Sequence, residues 1–126
     1  MMLQNDARVT VVRTRGRLLA TVQSDLSGAV LTELKRQLLG SLAEGDCAGI
    51  VVDVSALDLI DGHEFKGLRS VLSIAGVMGC PAAICGLSPG VVSSLIDLDV
   101  DIRRLVATLS VDDAMASLDH LSAAAS

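Results

Sequence analysis

Hydrophobic positions change rhythm along the chain, and the changes mark out its elements. From Arg8 to Arg15 the pattern alternates. Val9 and Val11 share one track with Arg13 and Arg15, and Thr10, Val12 and Thr14 fall on the other. A period of two is the signature of a strand with one face turned to a core. Gly16 interrupts it, and Arg17 to Gln23 resumes with Leu18, Leu19, Ala20 and Val22. So short a break, effectively one residue, predicts an antiparallel hairpin. Ser24-Asp25-Leu26-Ser27 then supplies helix-capping side chains. Leu31, Leu34, Leu38 and Leu42 follow at i, i+3, i+7 and i+11. That spacing gives one apolar stripe on a helix of about four turns, ending near Gly45.

The middle of the chain breaks this amphipathic pattern. Ile50 to Val54 is an apolar run rich in β-branched residues, broken only by Asp53. Such a run reads as a central strand buried on both faces. It passes into an acidic loop; Asp53, Asp58 and Asp61 are its aspartates, and it ends at Gly62. Phe65, Leu68, Leu72 and Ala75 then line one face of a second helix. Met78-Gly79-Cys80-Pro81 ends it, with Gly79 suited to the residue after the C-cap and Pro81 barring continuation. Ala82 to Cys85 is a short buried strand. Ser88 and Pro89 suit the N-cap and first position of a third helix, Gly90 to Leu98. Asp99-Val100-Asp101 turns into a last strand within Arg103 to Thr108. Ser110 and Asp113 open a terminal helix with Ala114, Leu118 and Leu121 inward.

The order β-β-α-β-α-β-α-β-α predicts an α/β fold: a mixed sheet with helices mainly on one side. One domain spans residues 1–126, with 1–7 and 122–126 frayed at its ends. No internal repeat or linker interrupts it. The crevice at the carboxyl end of the central strand is where open α/β sheets meet their ligands and partners.

Composition narrows the function. Phe65 is the only aromatic residue and the formal net charge is −5. Base stacking needs aromatic platforms, and an acidic surface repels phosphate backbones, so nucleic acid is not expected as a partner. No stretch approaches the roughly 20 apolar residues that cross a bilayer, and the first residues lack a signal-peptide pattern. No membrane association is expected, and a reducing, cytoplasmic setting is. Cys47, Cys80 and Cys85 are odd in number and lack metal-type spacing, so they read as structural thiols.

Several groups could carry chemistry. Paired aspartates at a strand end can bind Mg2+ or act as acid and base, but Asp58 and Asp61 equally suit a turn and a helix cap. His63 has no second histidine nearby, since His120 lies far along the chain, and reads as a recognition residue. Ser55, Ser70 and Ser73 have no partnered base and no nucleophile elbow. Gly86-Leu87-Ser88-Pro89-Gly90 lacks the lysine of a phosphate-binding loop. No enzyme constellation survives, and neither a metal nor a cofactor is expected.

The segment Ile50-Val51-Val52-Asp53-Val54-Ser55-Ala56-Leu57-Asp58-Leu59-Ile60-Asp61, with the order of elements, resembles a STAS domain, the fold of anti-sigma-factor antagonists. The resemblance covers nearly the whole chain. Leu18 to Gln23, the helix end at Met78-Gly79, Gly86 to Pro89 and Leu95 to Leu98 resemble the RsbS-type scaffold of the stressosome. The resemblance implies a stress-response signalling protein that regulates transcription through protein–protein interaction. Its implied partners are a switch-type serine kinase or anti-sigma factor and homologous STAS proteins, in a homo- or hetero-oligomer. The implied binding residues are Asp58, Asp61, Gly62, His63, Glu64 and Lys66. In the family, phosphorylation at the helix start releases the kinase. A dianionic phosphate beside Asp58 and Asp61 adds like-charge repulsion to that interface. Here the phosphoacceptor position is Gly62, which has no hydroxyl; Ser55 and Ser70 are the nearest alternatives. A small-molecule or nucleotide-binding STAS module, using the crevice around Ser55 and Asp58, is the competing expectation.

Overall fold

The computed structural model describes residues 8–45, 47–91 and 106–108. Strands β1 (Val9–Thr14) and β2 (Arg17–Val22) lead into helix α1 (Gly28–Ala43). Strand β3 (Ile50–Asp53), helix α2 (Gly62–Val77), strand β4 (Ala82–Cys85) and strand β5 (Val106–Thr108) follow. The five strands form one sheet in the order β1-β2-β3-β4-β5. β1 runs antiparallel to β2. The pairings β2–β3, β3–β4 and β4–β5 are parallel. The expected mixed α/β sheet is therefore what forms. The expected third and fourth helices lie largely outside the described residues; of the third, residues 89–91 are helical.

The hairpin turn differs from the expected single residue. Thr14 pairs with Arg17, which leaves Arg15 and Gly16 as a two-residue loop. Their φ angles are 53° and 76°. Left-handed conformations at both central positions twist the turn the way the flanking strands twist. Arg15 adopts that conformation without glycine's freedom, which is why the sequence concealed it.

The core lies between one face of the sheet and the two long helices. Leu18, Ala20 and Val22 on β2 and Ile50 and Val52 on β3 meet Val30, Leu34 and Leu38 of α1 and Phe65, Leu68, Leu72 and Ala75 of α2. Fully burying a Leu, Val or Phe side chain stabilises the fold by about 1.5–3 kcal/mol. This stripe is therefore what holds the helices on the sheet. Val51, Ala83 and Cys85, on the opposite face, are also buried, as a central double-faced strand requires. The helices approach closely where α2 carries Gly67: a Cβ there would stand 2.6 Å from Leu31 Cδ1.

The end of α2 forms as its residues predict. Gly79, with φ 83°, follows the C-cap Met78. The Gly79 amide donates to the Gly76 carbonyl at 3.0 Å, and the Cys80 amide to the Ala75 carbonyl at 2.9 Å. These are the two bonds of a Schellman termination, closed by the buried pair Ala75 and Cys80. Because β2, β3 and β4 are parallel, the connections that leave them for the following helices all open at the same end of the sheet.

Candidate functional site at the β3–α2 junction

The junction after β3 is a loop tethered by hydrogen bonds and buried anchors, with an outward-turned set of side chains. Asp53, expected in the loop, is the last residue of the strand. Its Oδ1 accepts from the Ser55 amide at 2.9 Å and starts the turn. The Val54 amide donates to the Cys85 carbonyl at 3.0 Å, and the Leu57 amide to the Val54 carbonyl at 3.0 Å. Leu57 and Ile60 are buried and pin the loop to the core. Between them Leu59 faces away and is 84% exposed.

Asp61 is the N-cap of α2, and Gly62 is the first helical residue. Asp61 Oδ1 accepts from the Glu64 amide at 2.7 Å, and Glu64 Oε1 accepts from the Asp61 amide at 3.0 Å. This reciprocal pair satisfies two backbone donors that a helix start leaves open, with carboxylates where the helix dipole favours them. Asp61 thus fills the cap that its sequence position allowed, with Glu64 as its reciprocal partner. Asp58, His63 and Lys66 are exposed. So are Ser55 on the loop and Ser70 two turns into α2. Lys66, Arg69, Ser70 and Ser73 line an open depression of about 360 Å³.

The neighbouring strand end completes the rim. Gly86, just past β4, has φ 86°. A Cβ on it would stand 2.6 Å from the Ser55 amide nitrogen and 2.7 Å from Ser55 Cβ. Only glycine lets the chain leave β4 this close to the β3 loop. The Ser88 hydroxyl then accepts from the Val91 amide at 3.2 Å and caps the next helical turn, as Ser88-Pro89 predicts. Burial pushes the Cys85 thiol up to about 12, with the nearby Asp53 charge adding to the effect. Cys85 is therefore an inert thiol under the rim.

The predicted residues Asp58, Asp61, Gly62, His63, Glu64 and Lys66 thus share one junction, and they do not converge on a point. Among the described residues no three His, Cys, Asp or Glu side chains are placed to hold a metal ion. Sequence reasoning missed Leu59 as an outward apolar residue. The signal was there: of Leu57, Leu59 and Ile60, a short tethered loop cannot bury all three. It also missed the approach of Gly86 to Ser55, which depends on a contact 31 residues away in the chain and leaves no local trace.

No family model matches the sequence, and no curated protein matches it either. Solved structures do match in fold. A serine-to-glutamate variant of RsbS from Moorella thermoacetica superposes with TM-score 0.77 at 22% identity, over 92% of this chain and 98% of that one. A structure describing the molecular architecture of the stressosome, a signal integration and transduction hub, gives TM-score 0.76 at 21% identity, over 90% and 98%. The anti-sigma factor antagonist SpoIIAA in its unphosphorylated form gives TM-score 0.68 at 10% identity, over 89% and 96%. The chain has the STAS fold of stressosome and anti-sigma-factor-antagonist structures. Among the described residues no helix is long and apolar enough to cross a membrane.

Proposed function

We propose that this chain is a non-enzymatic regulatory module that docks protein partners through the rim at the β3–α2 junction. Its partners are a switch-type serine kinase or anti-sigma factor and homologous STAS proteins, with which it assembles as an oligomer in the cytoplasm. One observation carries the reading. The junction's backbone is fixed by an Asx turn, a capping box and two buried anchors, while Asp58, Leu59, His63 and Lys66 are left to solvent. A rigid support presenting one apolar side chain among charges suits protein recognition, where little entropy is lost on docking. Catalysis would need side chains aimed at one reacting atom instead.

Position 62 is where the resemblance places the phosphoacceptor. With glycine there, a kinase that docks finds no hydroxyl at the helix start, and the module binds without the usual release. Ser55 and Ser70, both exposed, are the alternative acceptors. The test is to incubate the full chain and its Gly62→Ser variant with ATP and the switch-type kinase from the same genome, then map phosphate by mass spectrometry. The proposal expects a stable complex with unmodified wild type, and phosphate at position 62 in the variant together with weaker binding. Phosphate on Ser55 or Ser70 of the wild type would restore a switch. Absence of any complex with kinase, anti-sigma factor or STAS partner would refute the docking role.

A further inference from the structure

At the opposite end of the sheet from the rim, two thiols meet that the sequence keeps 33 residues apart. Cys47 lies on the connection from α1 into β3, and Cys80 is the closing residue of the α2 termination, next to Pro81. The Cys80 thiol donates to Cys47 Sγ at 2.8 Å. A disulfide bond is about 2.05 Å long. The backbones are already tied beside them: the Ile50 amide donates to the Pro81 carbonyl at 2.8 Å. Joining the sulfurs therefore asks for side-chain adjustment rather than movement of the fold. The third cysteine, Cys85, is buried at the far end of β4.

The two thiols are unlike. Cys80 is buried; Cys47 is partly open to solvent. Burial first, and then its hydrogen bond to Cys47, push the Cys80 thiol up to about 12, so it keeps its proton and offers it to its neighbour. The Cys47 thiol in turn donates to the Gly49 carbonyl at 3.0 Å. The Arg13 charge acts on Cys80 in the opposite direction, as the smallest of these effects. Accessibility singles out Cys47 as the sulfur that a hydroperoxide reaches first.

We propose that Cys47 and Cys80 form a reversible, peroxide-driven disulfide that staples the α1–β3 connection to the end of α2. The Cys47 thiolate attacks one oxygen of a hydroperoxide. The O–O bond breaks, the leaving oxygen takes a proton, and Cys47 becomes a sulfenic acid. The Cys80 sulfur then attacks Cys47 Sγ. The S–S bond forms, the S–O bond breaks, and the hydroxide leaves as water with the Cys80 proton. The two thiols lose two electrons and two protons, and hydrogen peroxide is reduced to two waters. Thiol reductants reverse the bond. The inference does not depend on the docking role, because it concerns the other end of the sheet.

The test treats the full chain with hydrogen peroxide, alkylates the remaining thiols under denaturing conditions and analyses peptides by mass spectrometry. The expected result is a Cys47–Cys80 linked peptide with Cys85 still alkylated. Thermal unfolding should shift upward by about 10 °C, as closing a loop of this length implies, and fall back with dithiothreitol. Cys80→Ser should lose the shift and let Cys47 accumulate as a sulfenic acid trapped by dimedone. Cys47→Ser should lose the shift and leave Cys80 unoxidised. Should either variant fold poorly, the wild-type peptide map still decides. Three alkylated cysteines after peroxide treatment would overturn the proposal. So would a Cys47 sulfinic acid without linkage, or a bond formed only between two molecules.

Discussion

Two β-to-α junctions open at the same end of this sheet, and they are built to different ends. After β2 the chain reaches α1 in five residues. Leu26 is buried, the Ser27 hydroxyl accepts from the Val30 amide, and Asp25 accepts from the Ser27 amide at 3.0 Å. No large apolar side chain is left exposed there. After β3 the chain takes eight residues, 54–61, to do the same topological work. It pins Val54, Leu57 and Ile60 and uses a doubled cap, yet turns Leu59 outward beside Asp58. Capping alone needs no such length. The additional residues of the second junction leave Leu59 and Asp58 facing outward, beside a helix start closed by a reciprocal capping box.

Substitutions can break this contrast at several depths. The largest effect is expected from Gly86→Ala. A Cβ there meets Ser55 backbone at 2.6 Å in a left-handed conformation. The strain and the clash together should destabilise the protein by about 3 kcal/mol, read by chemical denaturation. An unchanged midpoint would mean that the two loops do not depend on one another. Asp61→Ala comes next. It removes the carboxylate that accepts from the Glu64 amide, leaves the backbone half of the capping box without its partner bond, and should cost about 1–2 kcal/mol, against about 1 kcal/mol for Ser27→Ala at the simpler junction. Equal losses would remove the distinction between the two caps.

Leu59→Asp should leave stability within about 0.5 kcal/mol, because the side chain is already in water. The same change is expected to weaken partner binding. The smallest effect concerns acid. Asp25 sits below its ordinary value because the Ser27 backbone amide, and then the Ser27 hydroxyl, bond to its charged form. A carboxylate depressed in the folded state adds stability above its unfolded value of 3.8 and loses it as pH falls through the lower folded value. Asp25→Asn should therefore differ from wild type near neutral pH and converge with it in strong acid. A gap that widens as pH falls would contradict that origin.

Much of the fold was legible because it rests on periodicity. The alternating β2, the double-faced run Ile50-Val51-Val52 and the helix face of Phe65, Leu68, Leu72 and Ala75 each bury what their spacing predicts. Termination was legible too, because Gly79 and Pro81 act locally. The Arg15-Gly16 turn was not, because arginine in a left-handed conformation carries no signature of its own. At the site, the position of Asp58 to Lys66 was readable, and so was the capping option for Asp61. The meeting of Cys47 with Cys80, and of Gly86 with Ser55, was not. Both are contacts between connections that only the parallel strand order brings together.

The docking role is tested most directly by calorimetric affinity between the full chain and the purified switch-type kinase of its own genome, measured for wild type, Leu59→Asp and Ser27→Ala. The account predicts a loss of tenfold or more, about 1.4 kcal/mol, for Leu59→Asp at unchanged thermal stability, and no loss for Ser27→Ala. Equal affinity for all three proteins would contradict it and move the binding surface away from the β3–α2 junction.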